Sequence, residues 1–427
     1  MNNRIKKHIA ALLAVAAVMS AFPALTSCSG VRSCQAPHVE LPDETVYGVP
    51  VTDTATIADM EWWKFFSDST LCTVIRHTLA NNRDMLAAAA RVEAARQAYL
   101  GNRADRLPSV GINVHGEQET RNYGGDRFVR DPEFDLKASI SWEADLWGKY
   151  RWAKRGGEAR WEATLEDARA MRITLIAEAA SAYFTLVALD NELAIVRRTL
   201  INREEGVQKA KLRFEGGLTS ELVYQQAQVE YATTATMIPN LESRIRATQN
   251  ALSLLMGEMP GGVIERGNFS LPMLEAESLP MGLPSTLLQR RPDLRAAEAE
   301  LRAAMADVGV AWANRFPSLS FNLSGGLENE SLSRFFASPF SFIGGSLAGP
   351  VIDFGRRKAR YKQAMAQYDQ ARLAYEQSVL NAFRETDNAA TAFRKLRQAT
   401  VLKTDSRNAA RKYVDLATLQ YLSLIHI

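Results

Sequence analysis

Apolar positions along this chain recur with two different periods, and the pair of periods occurs twice. From Asp68 to about Arg106, Leu71, Val74, Ile75, Leu79, Leu86, Ala90 and Val92 fall near i, i+3, i+4 spacing, which predicts an Ala-rich helix. The period then changes. Phe134, Leu136, Ala138, Ile140 and Trp142 alternate with Asp135, Lys137, Ser139, Ser141 and Glu143, which predicts a strand with one apolar and one polar face. Its expected partner runs from Ser109 to about Glu119 through Val110, Ile112 and Val114, across a polar loop at Thr120 to Asp131. Downstream, Leu319, Phe321 and Leu323 alternate with Ser320, Asn322 and Ser324. After a loop around Ser331 to Pro339, a Gly-rich aromatic strand is expected from Phe340 to Val351.

The recurrence is a duplication. Asn82-Arg83-Asp84-Met85-Leu86-Ala87-Ala88 aligns without a gap on Arg291-Pro292-Asp293-Leu294-Arg295-Ala296-Ala297, 209 residues further on. Arg106-Leu107-Pro108-Ser109-Val110 keeps that register against Arg315-Phe316-Pro317-Ser318-Leu319. The spacing is far longer than that of solenoids or propellers. It predicts two large repeats, at about 61–262 and 283–427, joined by a linker at 263–282. Each holds a helix, a hairpin (about 109–143 and 318–351) and long helices.

Those long helices are unusual. Arg356 to Leu422 contains neither Gly nor Pro over 67 residues, about 100 Å if continuous. Glu158 to Glu205 is likewise free of both. Helices of this length are expected to pack as coiled coils. Gln363, Gln367, Asp369 and Gln370 interleave with Ala, Met and Tyr, as in closely packed helices with one wet face. The first long helix is expected to end at Phe214-Glu215-Gly216-Gly217-Leu218-Thr219-Ser220-Glu221. The paired glycines permit a left-handed C-cap, and Thr219 or Ser220 can cap the next helix. The chain then returns from Leu222 to about Met256, with a kink or break expected at Pro239.

The N-terminus adds an address. Arg4, Lys6 and Lys7 precede an apolar stretch from Ile9 to Phe22, and Leu25-Thr26-Ser27-Cys28 has the form of a lipoprotein cleavage box. Residues 1–27 are read as a signal peptide, Cys28 as the lipid-attachment residue, and 28–60 as an extended leader. A diacylglyceryl thioether and an N-acyl chain on Cys28 would anchor the chain stably. Ser29, rather than Asp, follows the cysteine, which resembles lipoproteins sent to the outer membrane.

In that setting the hairpins take on a second meaning. Strands of about 10 residues with apolar-out, polar-in alternation suit a tilted membrane crossing. Taken alone, each hairpin favours a soluble hairpin packed on a helix; two of them in an outer-membrane-targeted chain favour the membrane crossing. Four strands cannot close a barrel, and open edges are not tolerated in lipid. Membrane-spanning hairpins therefore require several chains to share one barrel.

Composition narrows the chemistry. The 427 residues are 47% apolar with a net charge of +3, without the concentrated basic character of a nucleic-acid protein. No disulfide is expected between Cys34 and Cys72, no histidine pair has metal-ligand spacing, and no cofactor is expected besides the lipid. Glu178, Asp190 and Glu192 read as solvated charges on a long helix, and His77 and His115 as isolated; no nucleophile–base pair accompanies them. No catalytic residue is assigned. An envelope spacer rod would explain the long helices but not the alternating strands.

Three segments resemble a known family. Leu288-Gln289-Arg290-Arg291-Pro292-Asp293-Leu294-Arg295-Ala296-Ala297-Glu298 resembles the most distinctive motif of bacterial outer-membrane efflux lipoproteins, the TolC-like channels of tripartite pumps. Trp142-Glu143-Ala144-Asp145-Leu146-Trp147-Gly148 resembles that family's strand-to-helix turn, and Leu255-Met256-Gly257-Glu258-Met259-Pro260-Gly261 the end of its first repeat. The resemblance implies a mixed α and β membrane protein built from two internal repeats. A long-helix periplasmic α-barrel would join an outer-membrane β-barrel shared by a homotrimer. It implies passive conduction without chemistry, a periplasmic adaptor protein, and an inner-membrane transporter of the RND type. It also places adaptor docking on Gly217, Leu218, Thr219 and Ser220, with Glu221 at the pore mouth. Thr418-Leu419-Gln420-Tyr421 matches Lys211-Leu212-Arg213-Phe214, so the second tip and its returning helix are expected to be missing, and residues 423–427 do not continue the pattern.

Overall fold

The computed structural model describes residues 61–66, 68–122, 124, 128–267, 290–349 and 352–422. The signal peptide, Cys28, Cys34, the leader, most of the inter-repeat linker and residues 423–427 lie outside them. The elements in chain order are α1 (Trp62–Phe65), α2 (Ser69–Asn81), α3 (Arg83–Ala104), β1 (Ser109–Arg121), β2 (Val129–Ala144), α4 (Lys149–Glu215) and α5 (Glu221–Leu255). They continue as α6 (Pro292–Ala313), β3 (Ser318–Asn329), a 3-10 turn (Leu332–Ala337), β4 (Pro339–Ala348) and α7 (Arg356–Leu422).

The duplication holds at single-residue resolution. α3 and α6 are both 22 residues long, and their boundaries keep the 209-residue offset, as do the starts of β1 and β3. α4 and α7 are both 67 residues long. Each follows a left-handed glycine, Gly148 (φ 80°) or Gly355 (φ 84°), which sets an offset of 207 residues beyond the hairpins.

The described chain divides into two compact units. In the first, residues 91–166 and 295–378, the strands form one antiparallel sheet in the order β1-β2-β3-β4. The helical segments pack in the same order. Tyr99 of α3 stacks on Trp161 of α4 at 5.6 Å. α4 joins α6 through Glu162–Arg302 and Glu166–Arg295, each 2.8 Å, and through Arg160–Asp307. Arg315, just past α6, lies over the Tyr361 ring of α7 at 5.2 Å. Trp152 of α4 packs so closely on α6 at Gly309 that any side chain there would collide with the indole.

The second unit holds, among the described residues, 61–66, 68–90, 167–267, 290–294 and 379–422. Its core gathers Leu71, Val74 and Ile75 of α2, Ala179, Tyr183, Leu186 and Leu193 of α4, and Leu241, Ile245 and Leu252 of α5. One stretch of α4 is apolar enough to cross a membrane by length and composition. Its Leu175, Ala179, Ala180, Tyr183 and Leu186 are buried side chains of the protein. Tyr183 is fully buried, and its hydroxyl donates to Asp68 at 2.8 Å and accepts from the Gly267 N–H at 2.8 Å. Asp68 in turn caps α2, accepting from the Thr70 and Leu71 N–H groups. Arg266 grips Asp190 at 2.8 Å, so that carboxylate is paired rather than merely solvated. His77 and His115 also have carboxylate partners, Glu258 at 2.8 Å and Glu117 at 3.2 Å.

Two expectations about helix continuity change. The helix expected over 68–106 is broken at Asn82, whose backbone is extended (φ −60°, ψ 129°). Its amide donates to the Leu255 carbonyl at 2.9 Å while its oxygen caps α3 through the Asp84 and Met85 N–H groups. A long-range hydrogen bond here outweighs local helical propensity. Gly257, at φ 73°, lies against the Asn81 carbonyl, where any side chain would collide with backbone. Conversely, α5 runs through Pro239 without a break, because buried Thr234 on one side and Leu241, Ile245 and Leu252 on the other hold the helix across the missing N–H.

Arg291 occupies the position in the second repeat that Asn82 holds in the first. It grips Asp293 with two hydrogen bonds (3.0 and 2.7 Å) and Glu385 of α7 at 2.7 Å. Pro292, at the first helical position, sacrifices only an N–H that would have no helical partner. Burial works against the Asp293 charge, but the Arg291 guanidinium outweighs it and holds the carboxyl below the ordinary carboxylate range.

Replacing Tyr183 with Phe removes a partner from both Asp68 and Gly267, and should cost about 1–3 kcal/mol in denaturant unfolding of the detergent-solubilised protein. Because the folded pKa of Asp293 is depressed, its contribution is present above the unfolded value near ~3.9 and is lost as pH falls through the folded value. D293N should therefore flatten the acid limb of the stability curve below about pH 4. The half-exposed pair limits the effect to under about 1 kcal/mol, read from thermal melts at stepped pH.

Candidate functional site: a membrane-facing sheet and a helical tip

Strand register sorts the sheet into two faces. Val110, Ile112 and Val114 of β1 pair with Ile140, Ala138 and Leu136 of β2. Leu136, Ile140 and Trp142 pair with Leu327, Leu323 and Phe321 of β3. Leu319 and Leu323 pair with Leu347 and Ile343 of β4. An apolar face thus continues across all four strands. Asn113, His115 and Glu117, then Lys137, Asp135 and Glu133, then Asn322, Ser324 and Glu328 share the opposite, polar face. Phe340 and Phe342 of β4 fall on that polar face, against the alternation.

The apolar face is bare: Val110, Ile112 and Val114 are 74%, 77% and 74% exposed, and Ile343 and Leu347 are also exposed. A contiguous apolar surface of this kind marks contact with a membrane or a partner. β1 and β4 each pair on one side only, so two backbone edges are open. The soluble hairpin packed on a helix, an alternative at the sequence level, would have covered this face.

Where the strands meet the helices, aromatic rings gather. Trp147 stacks on Phe316 at 4.6 Å, and Trp312 meets the same ring edge-on at 4.9 Å. The indole N–H of Trp147 donates to the Pro317 carbonyl at 2.8 Å, and that of Trp142 to the Arg106 carbonyl at 3.0 Å. Rings with one apolar side and a satisfied polar edge suit a membrane–water boundary. At the same level, Asp145 accepts from the Tyr150 and Arg151 N–H groups and caps α4. Asp353 does the same for α7 through the Gly355 and Arg357 N–H groups. Those hydrogen bonds hold the partly buried Asp353 carboxyl below its ordinary range. Sequence reading found the first turn but missed the second, whose Asp353-Phe354-Gly355 is shorter and places Phe354 at φ 50°.

The predicted tip is a hairpin between α4 and α5. The Leu218 N–H donates to the Arg213 carbonyl (2.8 Å) and the Gly217 N–H to the Phe214 carbonyl (2.9 Å), with Gly217 at φ 71°. These bonds close the last turn of α4 through its glycine. Ser220 occupies the N-cap of α5, but neither it nor Thr219 caps through its side chain; Glu221 instead places a carboxylate in the positive first turn. Phe214 stacks on Tyr224 at 6.2 Å and 8°, tying the two arms together. Leu218 and Leu222 project 74% and 75% exposed, beside the exposed Leu212 and Val223. The structure therefore brings Gly217, Leu218, Thr219, Ser220 and Glu221 together on one turn and adds Leu212, Leu222 and Val223. Cys28 lies outside the described residues, and these contain no His, Cys, Asp and Glu cluster suited to a metal; Cys72 is buried with a free thiol.

Known proteins share this architecture. The outer membrane efflux protein family model matches residues 74–258 and 283–423. OprJ, an outer-membrane protein of Pseudomonas aeruginosa, is 32% identical over 409 residues, covering 93% of this chain and 85% of OprJ. The cation efflux system protein CusC of Escherichia coli is 30% identical over 404 residues, covering 93% and 85%. The solved structure of the outer-membrane channel OprN superposes with a TM-score of 0.85 at 30% identity, covering 92% of this chain and 89% of OprN. With two repeats, two membrane-type hairpins and a match along most of its length, the chain belongs to the outer membrane efflux protein family.

Proposed function

We propose that this protein is the outer-membrane channel of a tripartite efflux pump, conducting small molecules passively from the periplasm to the exterior. The carrying observation is the sheet. Its bare apolar face continues across four strands, and both of its edges are open. In hydrocarbon every backbone N–H and C=O needs a protein partner, so the edges must be closed by other copies. Three copies would supply 12 strands from the four of each chain, with the polar faces lining a water-filled bore. The long helices extend that conduit into the periplasm. The aromatic layer marks the periplasmic boundary of the outer membrane, and the diacylglycerol and N-acyl chains on Cys28 add a second anchor. No step of the transport requires a catalytic group.

The tip is the reading for partner recognition. A small turn with apolar side chains projecting on both sides suits the apolar groove of another helical hairpin. Gly217, Leu218, Thr219 and Ser220 would dock the periplasmic adaptor, with Glu221 at the pore mouth, and an RND-type transporter in the inner membrane would supply the energy. CusC is, by name, part of a cation efflux system. In a conduit of this kind the cargo is chosen chiefly by the transporter, so metals, drugs and other small molecules all remain compatible with it.

Deleting the gene in a strain without redundant channels should raise cellular accumulation of at least one dye, drug or metal, restored by the gene in trans. Unchanged accumulation across a broad panel would refute the channel role. At the tip, Leu218→Asp should weaken adaptor binding by about 10- to 100-fold, the worth of one buried leucine, while leaving helix content unchanged. Unaltered affinity in a surface-based binding assay would remove the tip from the docking site.

A further inference from the structure

Two side chains break the rule that sorts this sheet. On β4 the register gives Ile343 and Leu347 to the apolar face and Gly344 and Ser346 to the polar one, yet Phe340 and Phe342 share the polar face. Among the described residues of β1, β2 and β3, no Phe, Tyr or Trp occupies that face. The surroundings make the two rings prominent. Gly326 lies across from Phe340, and Ser324 across from Phe342. Phe342 is 57% exposed and Phe340 partly covered. A Cβ built on Gly344 would meet the Phe342 ring at 2.7 Å, so the ring takes the space above that glycine and lies along the strand. Nearer the helices the same face is small and neutral, with Ser141, Ser320, Asn322 and Ser346. Leaving phenyl rings on such a surface forgoes the gain of burying them, so folding alone does not favour their placement.

The charges beside the rings are mostly of one sign. Towards the hairpin loops, Asp135 faces Glu328 and Glu117 faces Glu133, two like-charged cross-strand pairs. Like charges set directly opposite each other are destabilising. Glu328 is the diagonal neighbour of Phe340, about 7–8 Å away and within reach of a long side chain. Lys137, in the row of Phe340, sets one positive charge against these four carboxylates, and His115 lies against Glu117 at 3.2 Å.

We propose that Phe340 and Phe342 form a stacking station in the bore for planar aromatic cations, with Glu328 and Asp135 attracting the charge. The inference rests on the channel reading above, in which this face lines the bore, and names the class of cargo that the bore itself favours. An aromatic cation satisfies both halves of the arrangement: its plane stacks on the phenyl rings, and its charge is drawn by their π-faces and by the carboxylates. A hydrated metal ion would meet the carboxylates alone, and a neutral apolar molecule the rings alone. The rings follow each other along one strand at about 7 Å, so a flat molecule passes from one to the next without leaving aromatic contact. Each contact is exposed and therefore weak, as conduction requires: cargo must be able to leave as well as enter.

The full chain inserted in a planar lipid bilayer tests this, with ethidium, a planar aromatic cation, and tetrabutylammonium, a cation without a ring, as blockers of the potassium chloride current. The ethidium concentration that halves the current should rise roughly 10-fold in F340S/F342S, the worth of two exposed cation–π contacts. Block by tetrabutylammonium should not shift in that variant, which also shows that its pore is formed. F340Y/F342Y, which keeps both rings, should keep the ethidium block. E328Q should weaken block by both cations, because it removes a charge and no ring. Equal ethidium block with and without the rings, or a parallel loss of block by both cations in F340S/F342S, overturns the stacking station and leaves the channel reading intact. No current from the inserted, unaltered chain overturns the channel reading and the station with it.

Discussion

The constraint on which the rest of this structure depends is the pairing of backbone groups at the edges of a small sheet. Four strands carry an apolar face fit for hydrocarbon, yet β1 and β4 each leave one row of N–H and C=O groups unpaired. In water such an edge invites aggregation; in lipid it is prohibitive. The chain meets this constraint by being only part of a closed surface. The bare face and the open edges are what the proposed channel would cover with lipid and with further copies.

Duplication makes that solution economical in sequence while allowing the halves to diverge. α3 and α6 keep identical lengths and a constant offset, so the two hairpins enter one sheet in matching register. Divergence is concentrated in the groups that tie each repeat down. Asn82 bonds the end of α5, where the first repeat closes, while Arg291 bridges Asp293 and Glu385 on a helix that continues. An amide suffices where it meets a carbonyl at a helix end. A guanidinium suits the flank of a helix, where the available acceptor is a carboxylate.

The first family motif now has a physical content. In Arg291-Pro292-Asp293 the proline starts the helix, the aspartate favours its positive end, and the arginine binds both that aspartate and a neighbouring helix. Similarly, Leu255-Met256-Gly257 combines a carbonyl that Asn82 reaches with a glycine that only a bare Cα allows beside Asn81. What the motifs show is helix-end chemistry.

The alternation in β2 and β3, the runs free of Gly and Pro in the long helices and the paired glycines at the tip were legible in the chain because each is set by local backbone geometry and solvent partition. Period two can place alternate side chains only on opposite faces, and Gly217 adopts a left-handed turn without a Cβ penalty. What the sequence did not contain were the long-range choices. The break at Asn82, the continuous helix through Pro239, and the pairing of Asp190 with Arg266 or His77 with Glu258 depend on groups brought close only by folding. The same holds for the long helices: α4 and α7 are equally long, and only tertiary packing decided that Trp152 and Ala163 of α4 are buried while Ala359 and Gln370, at the corresponding positions of α7, are exposed.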